Sequence, residues 1–532
     1  MSVTEPPIQG AAFTDSRSCR EWLGALPLTN IPNAQYQVLS GMRALAANEG
    51  FDPLERLKCL ELVRDKVYYL QGEQRSRYFG KTLPLSMTDM DAWRTGRDLM
   101  AELETGYRKC LAAASAASLA PHRALIAERI ARSIGAQMLF HAIVYRRFEP
   151  VLWERLHALY AAAESAGYAE DPVKDSLEGE EGTSTVTESY VRVVLLQAAY
   201  LSEVTAAQMD MIETLARMWI RRVPVRKKPP ETAPGPVCPL VVDLTKPIGA
   251  RPQLKAEITD NHRVLDMDAV SKSIRKRAYA LQSGEDPAAV GLPGVSSADA
   301  LDQLRRLHRL WCEGVPPHPP AKVPAEKEVG LVFGSQEIYF FLAGGKPFEQ
   351  PDKKRELTRQ EKQDLEVFGR VSERTQAMML GEHKYTVESW GVVDEMLGAW
   401  RLTRPSTSSR GMTIGRLVAM RVGDTAPFLL GKVSALSQEG DKVVATVTVF
   451  PGKPEPLPAR AGDARNRASA QWSPAFKLPG LEKARLPATL VVGSNVAARG
   501  RGVEVWEAGG AKEHTVEEVL DHGTDFDRVS YF

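Results

Sequence analysis

Phe368-Gly369-Arg370-Val371-Ser372-Glu373-Arg374-Thr375 leads into Val392-Val393-Asp394-Glu395-Met396-Leu397-Gly398-Ala399-Trp400-Arg401-Leu402. Beyond it the chain runs to Arg460 in short β-branched segments, broken at Val422-Gly423-Asp424-Thr425 and Glu439-Gly440-Asp441-Lys442. Runs rich in valine and threonine between glycine-containing turns predict antiparallel strands. Val332-Phe333, Ile338 to Leu342, Thr386 to Val393, Leu417 to Val422, Phe428 to Val433, Val443 to Phe450, Leu486 to Val492 and Gly502 to Glu507 are the strand candidates. So many short strands predict a small barrel or sandwich. Leu357 to Phe368 reads as a helix or an extended arm leading into it.

Upstream, the period changes. Asp52-Pro53 followed by Leu54, Leu57, Leu60 and Val63 combines a cap, a proline at the first helical position and an apolar stripe. Residues 88–115, 120–145, 149–166 and 185–220 carry the same spacing, so 21–222 is expected to be an α-helical bundle or solenoid. The aromatic-aliphatic face of Leu152 to Tyr160 reads as buried. Residues 1–20 read as a disordered lead without the apolar run of a signal peptide. The proline-rich stretch 223–239 reads as a linker. A mixed α/β middle domain is expected over 240–350, with a strand at Leu240 to Leu244 and helices at Val270 to Leu281 and Ala298 to Cys312. A β-barrel with a C-terminal extension is expected over 355–532. The fold class is therefore α+β multidomain.

Composition narrows the function. The net charge of +1 over 532 residues lacks the basic excess of a nucleic-acid coat or a polybasic membrane binder. No apolar run is long enough to span a bilayer. Five scattered cysteines fit a reducing compartment, and a cytoplasmic protein is expected. Phosphate loops, dinucleotide-binding glycine motifs, zinc-binding histidine pairs and nucleophile elbows are absent from the sequence. No catalytic residue, metal or cofactor is expected, and the chain does not read as an enzyme.

The opening stretch carries the ligand chemistry. Two guanidiniums four residues apart on an arm can bracket a phosphodiester, stack on a purine or bond its O6 and N7 edge. On a helix Arg370 and Arg374 would merely share a solvated face. Asp394 can accept from a guanine N1–H and N2–H₂ edge or stabilise its own turn. Gly398 admits a positive φ or the close approach of a ligand. Trp400 is either a stacking platform or a barrel anchor.

Arg370-x-x-x-Arg374, a strand, Asp394 in a turn and then Trp400-Arg401-Leu402 together resemble the PilZ domain family, small six-stranded barrels that serve as bacterial receptors for cyclic di-GMP. Their signature is R-x-x-x-R on an arm and [DN]-x-S-x-x-G at a surface turn. In this chain Met396 stands at the serine position and Ala399 at the final glycine. The resemblance implies that Arg370 and Arg374 wrap guanines and phosphates and that Asp394 meets a guanine edge, with Gly398 and Trp400 completing the ligand-binding set. The whole layout, closing on Asp521-His522-Gly523-Thr524-Asp525-Phe526, is similar to large proteobacterial PilZ-type proteins. That similarity implies a cyclic di-GMP-responsive effector acting on surface attachment, pili or motility through a protein partner of the helical domain. The alternative is a nucleotide-independent scaffold or adaptor with a degenerate PilZ-like barrel.

Overall fold

The computed structural model describes residues 12–114, 118–178, 182–228, 237–253, 257–315, 327–351, 363–364, 366–367, 385–396, 398–407, 410–423, 425–462, 471–494 and 496–532. The chain forms two compact units, Met1–His318 and Pro319–Phe532. The first is helical and the second is built from barrels, an α+β multidomain protein.

The first unit contains α1 (Ser16–Gly24), α2 (Ile31–Ala47), α3 (Pro53–Gln74), α4 (Met87–Ala112), α5 (Arg123–Ala142), α6 (Val151–Ser165), α7 (Val186–Ala198), α8 (Ala206–Trp219), α9 (Asp268–Gln282) and α10 (Ser297–Cys312). Local chemistry sets their starts. Asp52 accepts from the Glu55 amide at 2.9 Å, with Pro53 opening α3. Thr205 and Gln208 form a reciprocal capping box on α8. The expected single segment 185–220 is two helices. It breaks where Tyr200 adopts φ +50° and the Thr205 cap restarts the helix.

Six short strands belong to the same unit: β1 (Val173–Lys174), β2 (Thr183–Ser184), β3 (Val225–Arg226), β4 (Leu240–Asp243), β5 (Arg251–Pro252) and β6 (His262–Leu265). β1 pairs with β2, and the others form a sheet ordered β3-β6-β4-β5. The segment expected to open a separate middle domain is part of the helical core. One apolar cluster runs from Phe13 to Cys312. Within it Trp219 meets Trp311 edge-on at 6.1 Å, and the Trp311 indole donates to the Leu195 carbonyl at 3.2 Å. β3 lies inside the stretch read as a linker.

The second unit holds two closed six-stranded barrels. The first is β7 (Glu328–Phe333), β8 (Glu388–Met396), β9 (Ala399–Pro405), β10 (Leu417–Val422), β11 (Leu429–Glu439) and β12 (Lys442–Val449). The second is β13 (Glu455–Ala461), β14 (Ser473–Leu478), β15 (Thr489–Gly493), β16 (Gly502–Glu507), β17 (Gly510–His522) and β18 (Phe526–Tyr531). Around the rings the orders are β7-β8-β9-β12-β11-β10 and β13-β14-β15-β18-β17-β16, every pair antiparallel. The second barrel repeats the connectivity of the first, strand for strand. What the sequence suggested as a C-terminal extension is this second barrel, and β7, expected in the middle domain, is a stave of the first.

Ile338 to Leu342, read as a strand from its aromatic and branched residues, is instead part of the helix α11 (Ser335–Leu342). Gly334, at φ +83°, turns the chain out of β7 into it, and Ile338 is fully buried. α11 packs where the barrels meet. Val332, Leu417, Ala419, Leu430 and Phe450 of the first barrel join Phe476, Leu478, Val491 and Phe526 of the second in one cluster with Ile338. Their neighbours along the same strands, such as Leu331 and Leu490, are buried as well. Strands buried on both faces read as continuous apolar runs, as Leu417-Val418-Ala419-Met420 does.

The closing segment noted in the sequence is the β17–β18 loop, and it seals this contact. The Thr524 amide donates to the Gly415 carbonyl at 2.8 Å, and the Leu417 amide donates to Asp525 Oδ1 at 2.8 Å. Lys432 pairs with Asp521, and the Phe526 ring lies 5.6 Å from that of Phe450. Gly415 sits at φ +79° with the Thr524 backbone 3.3 Å from where a Cβ would be, so both the turn and the approach require glycine.

Candidate functional site

β8 and β9 form a hairpin in which Met396 pairs with Ala399, with Gly398 at its turn. Leu397 lies outside the described residues, as do Arg370 and Arg374. Gly398 adopts φ +74° with open space where a side chain would begin. Gly398→Ala is therefore expected to cost about 1 kcal/mol through the backbone alone, leaving the barrel folded. Urea denaturation of the variant measures this, and a loss of several kcal/mol would show an unrecognised contact.

Asp394 faces Arg401 across the hairpin, next to a register shift between Val392 and Asp394. Arg401 Nη1 donates to Asp394 Oδ2 at 3.3 Å, and its Nη2 donates to Glu439 Oε1 at 2.9 Å. The Ser437 hydroxyl donates to the same Glu439 oxygen at 3.2 Å. One guanidinium thus bridges two carboxylates from β8 and β11. Trp400 stands opposite Glu395 on β8 and Val447 on β12. Side chains alternate along a strand, so Trp400 shares its face with the buried Leu402 and Arg404, while Asp394 and Arg401 share the other. Asp394 and Trp400 therefore lie on opposite faces of the ribbon. The structure brings Asp394 and Gly398 together at one hairpin, with the half-buried Trp400 on the other face of the ribbon.

The far end of β9 carries cations that no motif announced. The buried Arg404 donates to Glu388 and to the Arg410 carbonyl, with its guanidinium 4.8 Å from the Trp390 ring centre. Burial lowers its pKa, with Arg410 and Arg416 adding to the effect and Glu388 opposing it. Arg410 is held by both oxygens of Glu337 on α11, at 3.0 and 3.2 Å.

A second concentration of arginine lies in the helical unit, around a cavity of about 330 Å³ between α3, α4, α5, α7 and α8. Met100, Leu139, Phe140, Ile143, Val193 and Leu196 form its apolar wall, and Tyr68, Arg75, Arg132, Arg192, Glu213 and Arg217 also line it. Arg132 is fully engaged, with Glu128 at 3.1 Å, Asp175 at 2.6 Å and Glu178 at 2.9 Å. Arg75 pairs with Asp210 at 2.8 Å and Glu213 at 3.4 Å. Arg192, with its side chain 20% exposed, reaches Glu178 only at 3.9 Å. Arg217 makes no ion pair or hydrogen bond among the described residues. Burial, with Arg132 and Arg217 nearby, pushes the Arg192 pKa down against the opposing charges of Glu213 and Glu178, and burial pushes that of Glu213 up against Arg75, Arg192 and Arg217. Sequence reading missed this cluster because its arginines come from four helices at no fixed spacing.

Among the described residues no group of three or more His, Cys, Asp or Glu side chains is placed to hold a metal ion, and no helix is long and apolar enough to cross a membrane. Residues 17–230 match the family described as "Cyclic-di-GMP receptor FimW, N-terminal domain". That span runs from α1 to just past β3 and contains every residue of the arginine-lined cavity. No curated protein matches the chain.

Proposed function

We propose that this protein is a cyclic di-GMP receptor whose first barrel takes the nucleotide at the β8–β9 hairpin. The match of residues 17–230 to the N-terminal domain of a cyclic di-GMP receptor carries the reading. The chemistry of the hairpin supports it. Cyclic di-GMP presents two phosphodiesters and two guanine edges. Arg370 and Arg374, in the connection that enters β8, supply planar forks that bond phosphate oxygens and the guanine O6 and N7 edge in pairs. Asp394 offers the acceptor for a guanine N1–H and N2–H₂ edge, and Gly398 leaves room for the ring to approach. Binding then orders the arm against the barrel, and the helical unit passes the change to a protein partner acting in attachment, pili or motility.

The test is calorimetric titration of the full chain with cyclic di-GMP, since a fragment starting at 355 lacks the barrel strand β7. Saturable binding is expected, weakened by about two orders of magnitude in Arg370→Ala with Arg374→Ala, as befits two charge-assisted contacts. A folded full chain that gives no heat overturns the reading, and an unchanged affinity in the double variant moves the site elsewhere.

One observation favours the alternative of a nucleotide-independent scaffold. Asp394 is already bonded by Arg401, which Glu439 also holds. In that case a partner captured by the full chain stays bound whether or not nucleotide is present.

A further inference from the structure

We propose that the cavity of the helical unit is a second binding site, for a small amphipathic anion. A carboxylate or phosphate head is taken by Arg192 and Arg217, and an apolar body lies against Leu139, Ile143, Val193 and Leu196. The site is independent of the barrel hairpin and of whether cyclic di-GMP binds there.

The guanidiniums around the cavity are unequally satisfied. Those of Arg132 and Arg75 are held at ion-pair distance by acids outside or at the edge of the void. Arg192 has one distant carboxylate and no hydrogen bond, and Arg217 has neither among the described residues. Two guanidiniums with donors to spare, the half-buried Arg192 and the exposed Arg217, line the same cavity and can donate together to one anion. Glu213, the one carboxylate among the lining residues, is held by Arg75; its charge acts on Arg192 and Arg217 from beyond ion-pair distance and leaves their donors unbonded.

The remaining wall specifies the body. Three of its polar groups bond within the protein: Tyr78 donates to Gln71 Oε1 at 3.2 Å, Gln71 Nε2 donates to the Gly96 carbonyl at 3.1 Å, and Ser189 donates to Glu128 at 2.8 Å, while Tyr68 adds a hydroxyl with no hydrogen bond among the described residues. A guanine base placed there would find the Tyr68 hydroxyl but too few partners for its several donors and acceptors, so the wall disfavours a nucleotide. A hydrocarbon or aromatic body makes no such demand. The void of about 330 Å³ is at the small end of ligand sites and suits a short-chain organic anion.

The experiment titrates the full chain with octanoate, octyl phosphate and neutral octanol, followed by calorimetry and by the thermal midpoint of the helical unit. Both anions are expected to bind, and octanol about tenfold or more weakly. Arg192→Ala with Arg217→Ala is expected to remove about tenfold or more of the anion affinity and leave octanol unchanged. Arg217 is exposed, so Arg217→Ala alone retains the fold and is expected to show part of the loss. Tighter octyl phosphate identifies a phosphorylated ligand, and tighter octanoate a carboxylate. The proposal is overturned if neither anion binds a folded chain at millimolar concentration, if octanol binds as well as the anions, or if the arginine variants bind unchanged. Arg370→Ala with Arg374→Ala leaves octanoate binding intact, so failure here is separable from failure of the cyclic di-GMP reading.

Discussion

Asp175→Ala is expected to cost the helical unit about 3–5 kcal/mol, the penalty for removing one partner from a buried ion cluster. The Asp175 side chain is fully buried among Arg64, Arg129 and Arg132, and its Oδ1 also accepts from the Leu177 amide at 3.1 Å. Arg129 is bound in addition by the fully buried Glu128 at 2.6 Å and by Glu61 at 3.0 Å. Without Asp175, buried guanidiniums lose part of their counter-charge with no water to replace it. Urea unfolding followed by tryptophan fluorescence reads the loss, and a change below about 1 kcal/mol would contradict the cluster's role.

The same cluster sets a pH dependence. Burial alone would raise the Asp175 pKa, but Arg132, Arg64 and Arg129 outweigh it and hold the group below the ordinary carboxylate range. Glu128 is depressed in the same way, burial being outweighed by Arg132 and Arg129. A carboxylate with a depressed folded pKa contributes fully above its unfolded pKa, and the contribution disappears as pH falls through the folded value. The helical unit is therefore expected to weaken steeply below about pH 4, with a shallower slope in Asp175→Asn.

Trp311→Ala is expected to have an effect of similar size, about 3–5 kcal/mol. It removes a fully buried indole on α10 that packs edge-on against Trp219 of α8 and donates to the Leu195 carbonyl on α7. Trp219 in turn donates to Ser273 Oγ of α9 at 3.0 Å. Because α9 and α10 share the apolar core of α1 to α8, hydrogen exchange is expected to show all ten helices losing protection together. Loss confined to 240–312 would instead show a separate domain. Trp311→Phe keeps most of the ring and is expected to recover most of the stability.

These contacts explain what could be read from the sequence. The cap and proline at Asp52-Pro53 and the strand Gly502 to Glu507 are written in neighbouring residues, and both are found at those positions. The pairing of Trp219 with Trp311 joins residues far apart in the chain, so no local pattern separates a shared core from a further domain. The second barrel was hidden for a different reason. β13 carries Pro456 and Pro458, and β17 has one buried residue, Val516, among its thirteen. In β13 the prolines mask the alternation of Leu457 and Ala459, and β17 lacks the alternation by which strands are recognised. Ile338 to Leu342 misled through composition: the aromatic residues that favour strands also suit a short helix laid over an apolar seam. At the candidate site the turn at Gly398 was legible. The bond from Arg401 to Asp394 was not, because it depends on cross-strand register.

The wall between the two barrels has a consequence for how such a protein can be divided. Val332, Leu417, Ala419, Leu430 and Phe450 face outward from their own barrel and are covered by Phe476, Leu478, Val491 and Phe526 of the next. Cutting the chain between Val449 and Glu455 would spare every hydrogen-bonded ring and still leave each half with a sticky flank. Although its topology is that of one barrel written twice, each copy taken alone would expose an apolar flank. A shortened version is therefore expected to keep both copies or to gain a new cover for that flank, and a single barrel that stays monomeric and folded in solution would contradict this.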